Sequence, residues 1–174
     1  MTLVKVRFAP SPTGRLHVGN LRTALVNYLF ARKMGGHFML RIDDTDAERS
    51  TDAFETDIRA DLEWMGMGWD CEDRQSSRLA RYDEALATLV ESGRAYACYE
   101  TQEELSLKRK AQLSSGRPPV YDRAGLKLSH TEKEKFEREG RRPHWRFLLN
   151  DVEVNWHDLV RGDVAYNMAS LSDP

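Results

Sequence analysis

The sequence predicts an α/β protein in two parts, residues 1–94 and 95–174. Three observations predict it. The first part alternates short apolar runs with amphipathic helical stretches, the order that builds a parallel sheet. A thirteen-residue turn, FAPSPTGRLHVGN from Phe8 to Asn20, joins the first apolar run to the first helix. After Arg94 the pattern changes to charged helices and short strand-like runs, as in an α+β unit.

The elements follow in order. Leu3 to Phe8 reads as a short buried strand. Asn20 to Met34 reads as a helix, with Leu21, Ala24, Leu25, Tyr28 and Leu29 on one apolar face, and Gly35-Gly36 end it. Phe38 to Ile42 is the second strand, and Asp43 to Ser50 a polar loop. Asp52 to Met65 is a second helix, with Phe54, Ile58, Leu62 and Met65 on one stripe. A third helix spans about Ser77 to Ser92 and stops at Gly93. Two strands joined through a helix make a right-handed βαβ unit with a parallel pair. In the second part, Thr101 and Glu104 form a capping box that opens a helix to about Leu113. A loop with Pro118-Pro119 follows, then a charged helix from about Thr131 to Glu139. Strand-like runs cover His144–Leu149, Val152–Trp156 and Val164–Met168.

Composition limits the function. Of 174 residues, 40% are hydrophobic and 31% charged, which is globular rather than disordered. No apolar run approaches the length of a membrane span, and no secretory signal is expected at the N-terminus. Cys71 and Cys98 are the only cysteines, which points to a reduced, cytoplasmic setting. The net charge of −2 means that any RNA must be met by local basic patches.

The opening turn lies where parallel α/β sheets bind ligands, between the C-terminal end of a strand and the N-terminus of a helix. Unpaired N–H groups and the helix dipole favour phosphate there. Gly14 and Gly19 let backbone approach a ligand, while Pro10 and Pro12 hold the chain extended. Gly14 and Gly19 have P-loop spacing, but Asn20-Leu21 stand where Lys-Ser/Thr is required, so that reading is rejected. No Gly-x-Gly-x-x-Gly fingerprint supports a dinucleotide site either. His17 remains, on the first helical turn. A lone histidine there is more often a helix cap or a satisfied core side chain. Arg7, Ser11, the Pro-x-Thr-Gly turn and the pair Arg41/Asp43 favour a phosphate donor instead.

With these residues in place, Phe8 to Gly14 and Leu16 to Asn20 resemble the HIGH region of class I aminoacyl-tRNA synthetases, in the wording of the glutamyl branch. Arg41-Ile42-Asp43-Asp44-Thr45-Asp46 resembles that branch's Arg-Ile-Glu-Asp-Thr-Asp. Arg74 to Arg78 with Tyr82, Arg161-Gly162-Asp163 and Ser170 to Asp173 also have counterparts. The resemblance covers the whole chain. It implies the first half of a Rossmann-like catalytic domain at 1–94 and an insert for the tRNA acceptor end at 95–174. It implies ATP-dependent activation of glutamate, helped by tRNA, then transfer to the tRNA 3′ end. The implied partners are tRNA(Glu), L-glutamate and ATP with Mg2+, and the full-length enzyme is expected to be a monomer.

Residue by residue, the resemblance places His17, Gly19 and Asn20 at the activation chemistry. Pro10, Ser11, Thr13, Gly14, His17 and Gly19 are expected to hold ATP. Arg7, Ala9, Ser11 and Asp43 are expected to hold glutamate, Arg7 through a planar fork on a carboxylate and Asp43 through the ammonium. Asp43 is one methylene shorter than the usual glutamate. Asp44 and Asp46 are read either as caps or as ligand contacts. Some relatives bind zinc through Cys-x-Cys and a later Tyr-x-x-x-Cys. Here the matching positions read Cys98-Tyr99-Glu100 and Tyr121 to Gly125, with one thiolate left, so zinc is not expected. Lys108 to Lys110 and Arg141 to Arg146, with Trp145, are candidates for phosphate and base contacts, against the alternative of solvated charge and core packing.

The resemblance stops at Asp173-Pro174. The second half of the sheet, the Lys-Met-Ser-Lys-Ser loop and the anticodon-binding domain are expected to be absent, and the chain alone inactive. Three readings stay open. One is the N-terminal catalytic part of a glutamate–tRNA ligase. Another is a short paralogue that glutamylates a modified base (queuosine) in tRNA(Asp). The third is a non-catalytic fragment that binds ATP or tRNA.

Overall fold

The computed structural model describes residues 3–174. The chain divides into two compact units, one ending at Tyr82 and the other running from Asp83 to Pro174.

The first unit holds β1 (Lys5–Phe8), α1 (Val18–Lys33), β2 (His37–Ile42), α2 (Asp52–Trp64) and β3 (Cys71–Arg74). The three strands form one parallel sheet in the order β1-β2-β3. β2 is central, and its Phe38, Leu40 and Ile42 are fully buried. They pack with Phe8, Ala24, Ala31, Ile58, Leu62 and Met67 in a single core. Each large side chain buried there stabilises the unit by about 1.5–3 kcal/mol. β1 is shorter than expected. Leu3 and Val4 lie outside it, though the Val4 carbonyl still accepts the His37 N–H at 2.8 Å.

α1 departs from its expected face. Ala24 and Ala31 are buried and Leu21 and Tyr28 pack on the core, but Leu25 and Leu29 are exposed. The helix carries two neighbouring apolar stripes, and the sheet takes the one that runs through the small alanines. In α2, Ile58 and Leu62 are buried as expected, while Met65 is exposed at the helix end. The third helix is α3 (Leu79–Glu91), preceded by a 3-10 turn at Ser76–Arg78.

β3 was not expected. Cys-Glu-Asp-Arg has no apolar periodicity, because it is a four-residue edge strand with one open side. Asp70, just before it, fixes its register. The carboxylate accepts the Phe38 N–H at 2.7 Å and pairs with Arg32 at 3.1 Å.

The second unit contains β4 (Ala95–Cys98), α4 (Gln102–Ser114), α5 (His130–Arg138), β5 (His144–Phe147), β6 (Glu153–Asp158) and β7 (Gly162–Asn167). β4 pairs antiparallel with β5, and β6 with β7. β4 was also not expected, since Ala-Tyr-Ala-Cys is short and lacks β-branched residues. α4 begins with the expected capping box. Thr101 accepts the Glu104 N–H, and Glu104 accepts the Thr101 N–H. α5 begins with another, from Ser129 and Glu132, and starts at His130.

Candidate active site at the turn between β1 and α1

The turn is held by backbone. The Asp43 N–H donates to the Pro10 carbonyl at 2.9 Å, and the Thr51 N–H to the Pro12 carbonyl at 3.1 Å. Both donors come from the loop after β2, so two strand ends support one turn. Arg7, Phe8, Ala9, Pro10, Ser11, Thr13, Gly14, His17 and Asn20 line an open cleft of about 630 Å³ there, together with Arg15, Leu16 and Thr23.

His17 is the N-cap of α1 and it is exposed. Its Nδ1 accepts the Gly19 N–H at 3.1 Å, while the Asn20 side chain accepts the His17 N–H at 3.2 Å. The capping role and the phosphate role are therefore compatible. A ring nitrogen that accepts a hydrogen bond carries no proton, so the neutral ring keeps its proton on Nε2 as a donor. Gly19 has a further use. A Cβ on it would sit 2.8 Å from His17 Cε1 and 3.0 Å from Nδ1. The space that glycine leaves is taken by the imidazole, whereas Gly14 opens onto free space.

Charge in the cleft is one-sided. Arg7 is exposed and, among the described residues, has no carboxylate within 4 Å. Arg41, two residues from Asp43, is fully engaged. It grips the Asp43 carboxylate through two contacts of 2.6 and 2.8 Å, and this pairing raises its own pKa. Asp43 does not line the cleft, although its backbone supports the turn.

The neighbouring acids settle into structural work. Asp44 accepts from the Ser76 N–H at 2.9 Å and hydroxyl at 2.5 Å, and pairs with Arg74 at 3.2 Å. Burial alone would raise its pKa, but the Ser76 bonds and Arg74 hold it below the usual carboxylate value. Arg74 also pairs with the buried Glu55, which Arg59 shares with Glu72. Asp46 accepts from Arg49. Asp44 thus caps the segment after β3 and Asp46 its own turn.

In the second unit, several candidate RNA contacts are already occupied. Lys108 pairs with Asp122 and Glu100, Arg141 with Glu104, and Arg146 donates to the Asp173 carbonyl. Among the described residues, Arg109, Lys110 and Arg142 have no carboxylate partner within 4 Å, and Trp145 is exposed. Cys98, Glu100 and His144 bring one ligand atom each within 4.8 Å of one another. The sequence reading placed His144 in a basic run and missed this convergence. Its signal lay in the pairing of β4 with β5.

The family profile of class I tRNA synthetases specific for E and Q, catalytic domain, matches residues 3–173. The chain belongs to that family. It is 61% identical to glutamate–tRNA ligase 1 of Maricaulis maris and 55% identical to that of Rickettsia bellii, over 99% and 100% of its length. It spans about 39% of the length of both relatives. The solved glutamate–tRNA ligase of Elizabethkingia meningosepticum, in complex with its amino acid, superposes with a TM-score of 0.85 at 36% identity. That of Elizabethkingia anophelis superposes with 0.87 at 36%. Each match covers 99% of this chain and 38% of the other. The fold of this family member is accordingly α/β, of the class I Rossmann-like type. Among the described residues no helix is long and apolar enough to cross a membrane.

Proposed function

We propose that this chain is the N-terminal catalytic part of a glutamate–tRNA ligase. The single observation that carries the reading is the cleft at the β1–α1 turn, where Arg7, Ser11, Thr13, Gly14, His17 and Asn20 converge. ATP phosphates sit over the start of α1, where N–H groups, the helix dipole and His17 Nε2 face them. The reaction is attack of the glutamate α-carboxylate on the α-phosphorus, with pyrophosphate leaving. It depends on alignment and charge stabilisation. Arg7 takes a glutamate carboxylate, while Ala9 and Ser11 lie beside the substrate backbone. Asp43 offers the ammonium the lone pairs that Arg41 leaves free. Pro10 and Gly14 shape the adenosine side, and Gly19 gives the His17 ring its place. The acyl group then passes to a ribose hydroxyl of tRNA(Glu), whose acceptor end residues 95–174 hold through Arg109, Lys110, Arg142 and Trp145.

The lining of the cleft contains no carboxylate, so it does not supply a ligand set for Mg2+. No step is assigned to a protein-held metal there.

The test is a chimera in which this span replaces the matching part of the Maricaulis maris enzyme. It should exchange pyrophosphate into ATP only with glutamate and tRNA(Glu) present. The chain alone should bind ATP weakly and exchange none. Transfer of glutamate to tRNA(Asp) instead would show the modified-base reading. A folded chimera with no glutamate-dependent exchange would reduce the chain to a binding fragment.

A further inference from the structure

The turn of the cleft rests on two backbone donors, and they stand at the two ends of one loop. The Asp43 N–H holds the Pro10 carbonyl, and the Thr51 N–H holds the Pro12 carbonyl. Between these donors runs the polar segment 44–50, which has no helix or strand of its own. Such a segment loses conformational entropy when both its ends are fixed, so something must hold them.

Arg74, the last residue of β3, reaches both ends. Its Nε pairs with Asp44, the residue after Asp43, at 3.2 Å. A terminal nitrogen pairs with Glu55 and approaches Asp52 at 3.9 Å. Asp52 follows Thr51 directly, and the Glu55 N–H donates to the Thr51 carbonyl at 3.2 Å in the first turn of α2. One guanidinium therefore joins the start of the loop to its end. Arg74 is fixed in turn by the sheet. It stands opposite Ile42 in the β2–β3 register, and the Gln75 N–H donates to the Ile42 carbonyl at 3.0 Å. The Asp44 and Glu55 side chains are only 9% and 7% exposed, so solvent and salt screen these pairs little. Arg74 lies outside the lining of the cleft, so it acts on a ligand there only through the turn.

We propose that Arg74 is a positioning residue for the cleft: it clasps the two ends of loop 43–50 and thereby sets the Pro10 and Pro12 carbonyls, and with them the span that carries Ser11, Thr13 and His17. The clasp rests on the reading of that cleft as the site of glutamate activation, where a displacement of about 1 Å can cost roughly a hundredfold in rate. It also gives the charged strand β3 a role that packing does not.

The experiment has two arms. In the chain itself, amide hydrogen exchange compares the unaltered protein with Arg74→Met. Asp44 keeps its two Ser76 donors and Glu55 keeps Arg59, so both buried carboxylates retain a partner and the variant should fold. The Asp43 and Thr51 amides should exchange faster by about tenfold or more, relative to that of Leu40 in the middle of the sheet. In the chimera, tRNA-dependent pyrophosphate exchange should lose about tenfold or more in turnover with Arg74→Met. Arg74→Lys should lose less, since its point charge can hold one carboxylate but not both. KM for ATP should change less than turnover. Phe38→Leu, a core change at the other end of β2, should lower the melting temperature and leave the turnover of the folded enzyme alone. Unchanged relative exchange of both amides overturns the clasp. Faster exchange with full turnover in an active chimera also overturns it, leaving Arg74 a stabiliser of the loop alone. An equal loss of turnover in Phe38→Leu does the same, because it traces the effect to stability. A parent chimera with no glutamate-dependent exchange would instead sink the reading of the cleft, and the amide arm still decides the clasp.

Discussion

Arg41 holds both oxygens of Asp43, at 2.6 and 2.8 Å, across a two-residue step at the end of the central strand. The pair is about three-quarters buried, with side-chain exposures of 22% and 24%. A carboxylate gripped in this way cannot swing, so a shorter side chain than glutamate can still present a fixed edge. This clamp underlies the first prediction.

In the chimera, Asp43→Asn should lower catalytic efficiency for glutamate about ten- to a hundredfold, as expected for loss of one charge-assisted hydrogen bond. Asp43→Glu should be milder. Arg41→Lys keeps the charge but loses the fork, and should also lower efficiency. Aminoacylation with ATP and tRNA saturating is the measurement. If Asp43→Asn retains full efficiency, the carboxylate serves only Arg41, and the ammonium is met elsewhere.

The second prediction concerns acid stability. Asp173 is buried and accepts from the Tyr96 hydroxyl at 2.7 Å, the Leu149 N–H at 3.0 Å and Arg123 at 3.0 Å. Burial would raise its pKa, but the Leu149, Tyr96 and Arg123 bonds outweigh it and hold the carboxyl below the usual value. A depressed folded pKa contributes stability that is present above the unfolded value near 4. That stability is lost as pH falls through the folded value. Asp173→Asn should therefore cost the most at neutral pH, about 3 kcal/mol, because Arg123 keeps Asp151 as a partner. The difference should shrink toward pH 2. Denaturant unfolding of both proteins across that range checks it, and a gap independent of pH would remove the charge from the argument.

A third prediction tests the register of β1. A Cβ on Gly36 would lie 2.4 Å from the Val4 carbonyl oxygen, the same atom that accepts the His37 N–H. Gly36→Ala must push β1 away from β2, at a cost of about 2–3 kcal/mol. Gly35→Ala strains only a left-handed residue that has open space around it, at about 1 kcal/mol. Urea midpoints should rank the two in that order. Equal losses would mean that β1 does not press on Gly36.

The sequence made the turn between β1 and α1 legible because its residues are neighbours in the chain. Most residues from Arg7 to Asn20 line one cleft because a strand end, a turn and a helix start are consecutive. The helices were legible too, through their caps and periodicity. β3 and β4 were not, since one is charged and the other built from alanine, tyrosine and cysteine. Their places are set by partners 32 residues or more away, such as Met39 for Cys71 and His144 for Cys98. Periodicity carries no such information. The same blindness hid the convergence of Cys98, Glu100 and His144, whose imidazole arrives only through strand pairing. It also hid the true face of α1, where two apolar stripes compete and only the sheet decides between them.

The last prediction separates the two uses of His17. Its Nδ1 caps α1 through the Gly19 N–H, which leaves Nε2 free for the proposed bond to phosphate. His17→Asn should keep a cap, because asparagine is a good N-cap residue, yet it removes the ring donor. Gly19→Ala attacks the same arrangement from the other side. The new methyl would sit 2.8 Å from His17 Cε1, so the ring must leave its place. Alanine is about 1 kcal/mol better than glycine inside a helix, and losing the cap costs about the same. Stability should therefore be nearly unchanged in Gly19→Ala while activation of glutamate falls. In the chimera, tRNA-dependent pyrophosphate exchange should drop at least tenfold in turnover for both variants, with smaller changes in KM for ATP, since a bond that tightens in the transition state acts on turnover. If Gly19→Ala retains its turnover, the ring position held by Gly19 is irrelevant to the chemistry, and His17 is a helix cap alone.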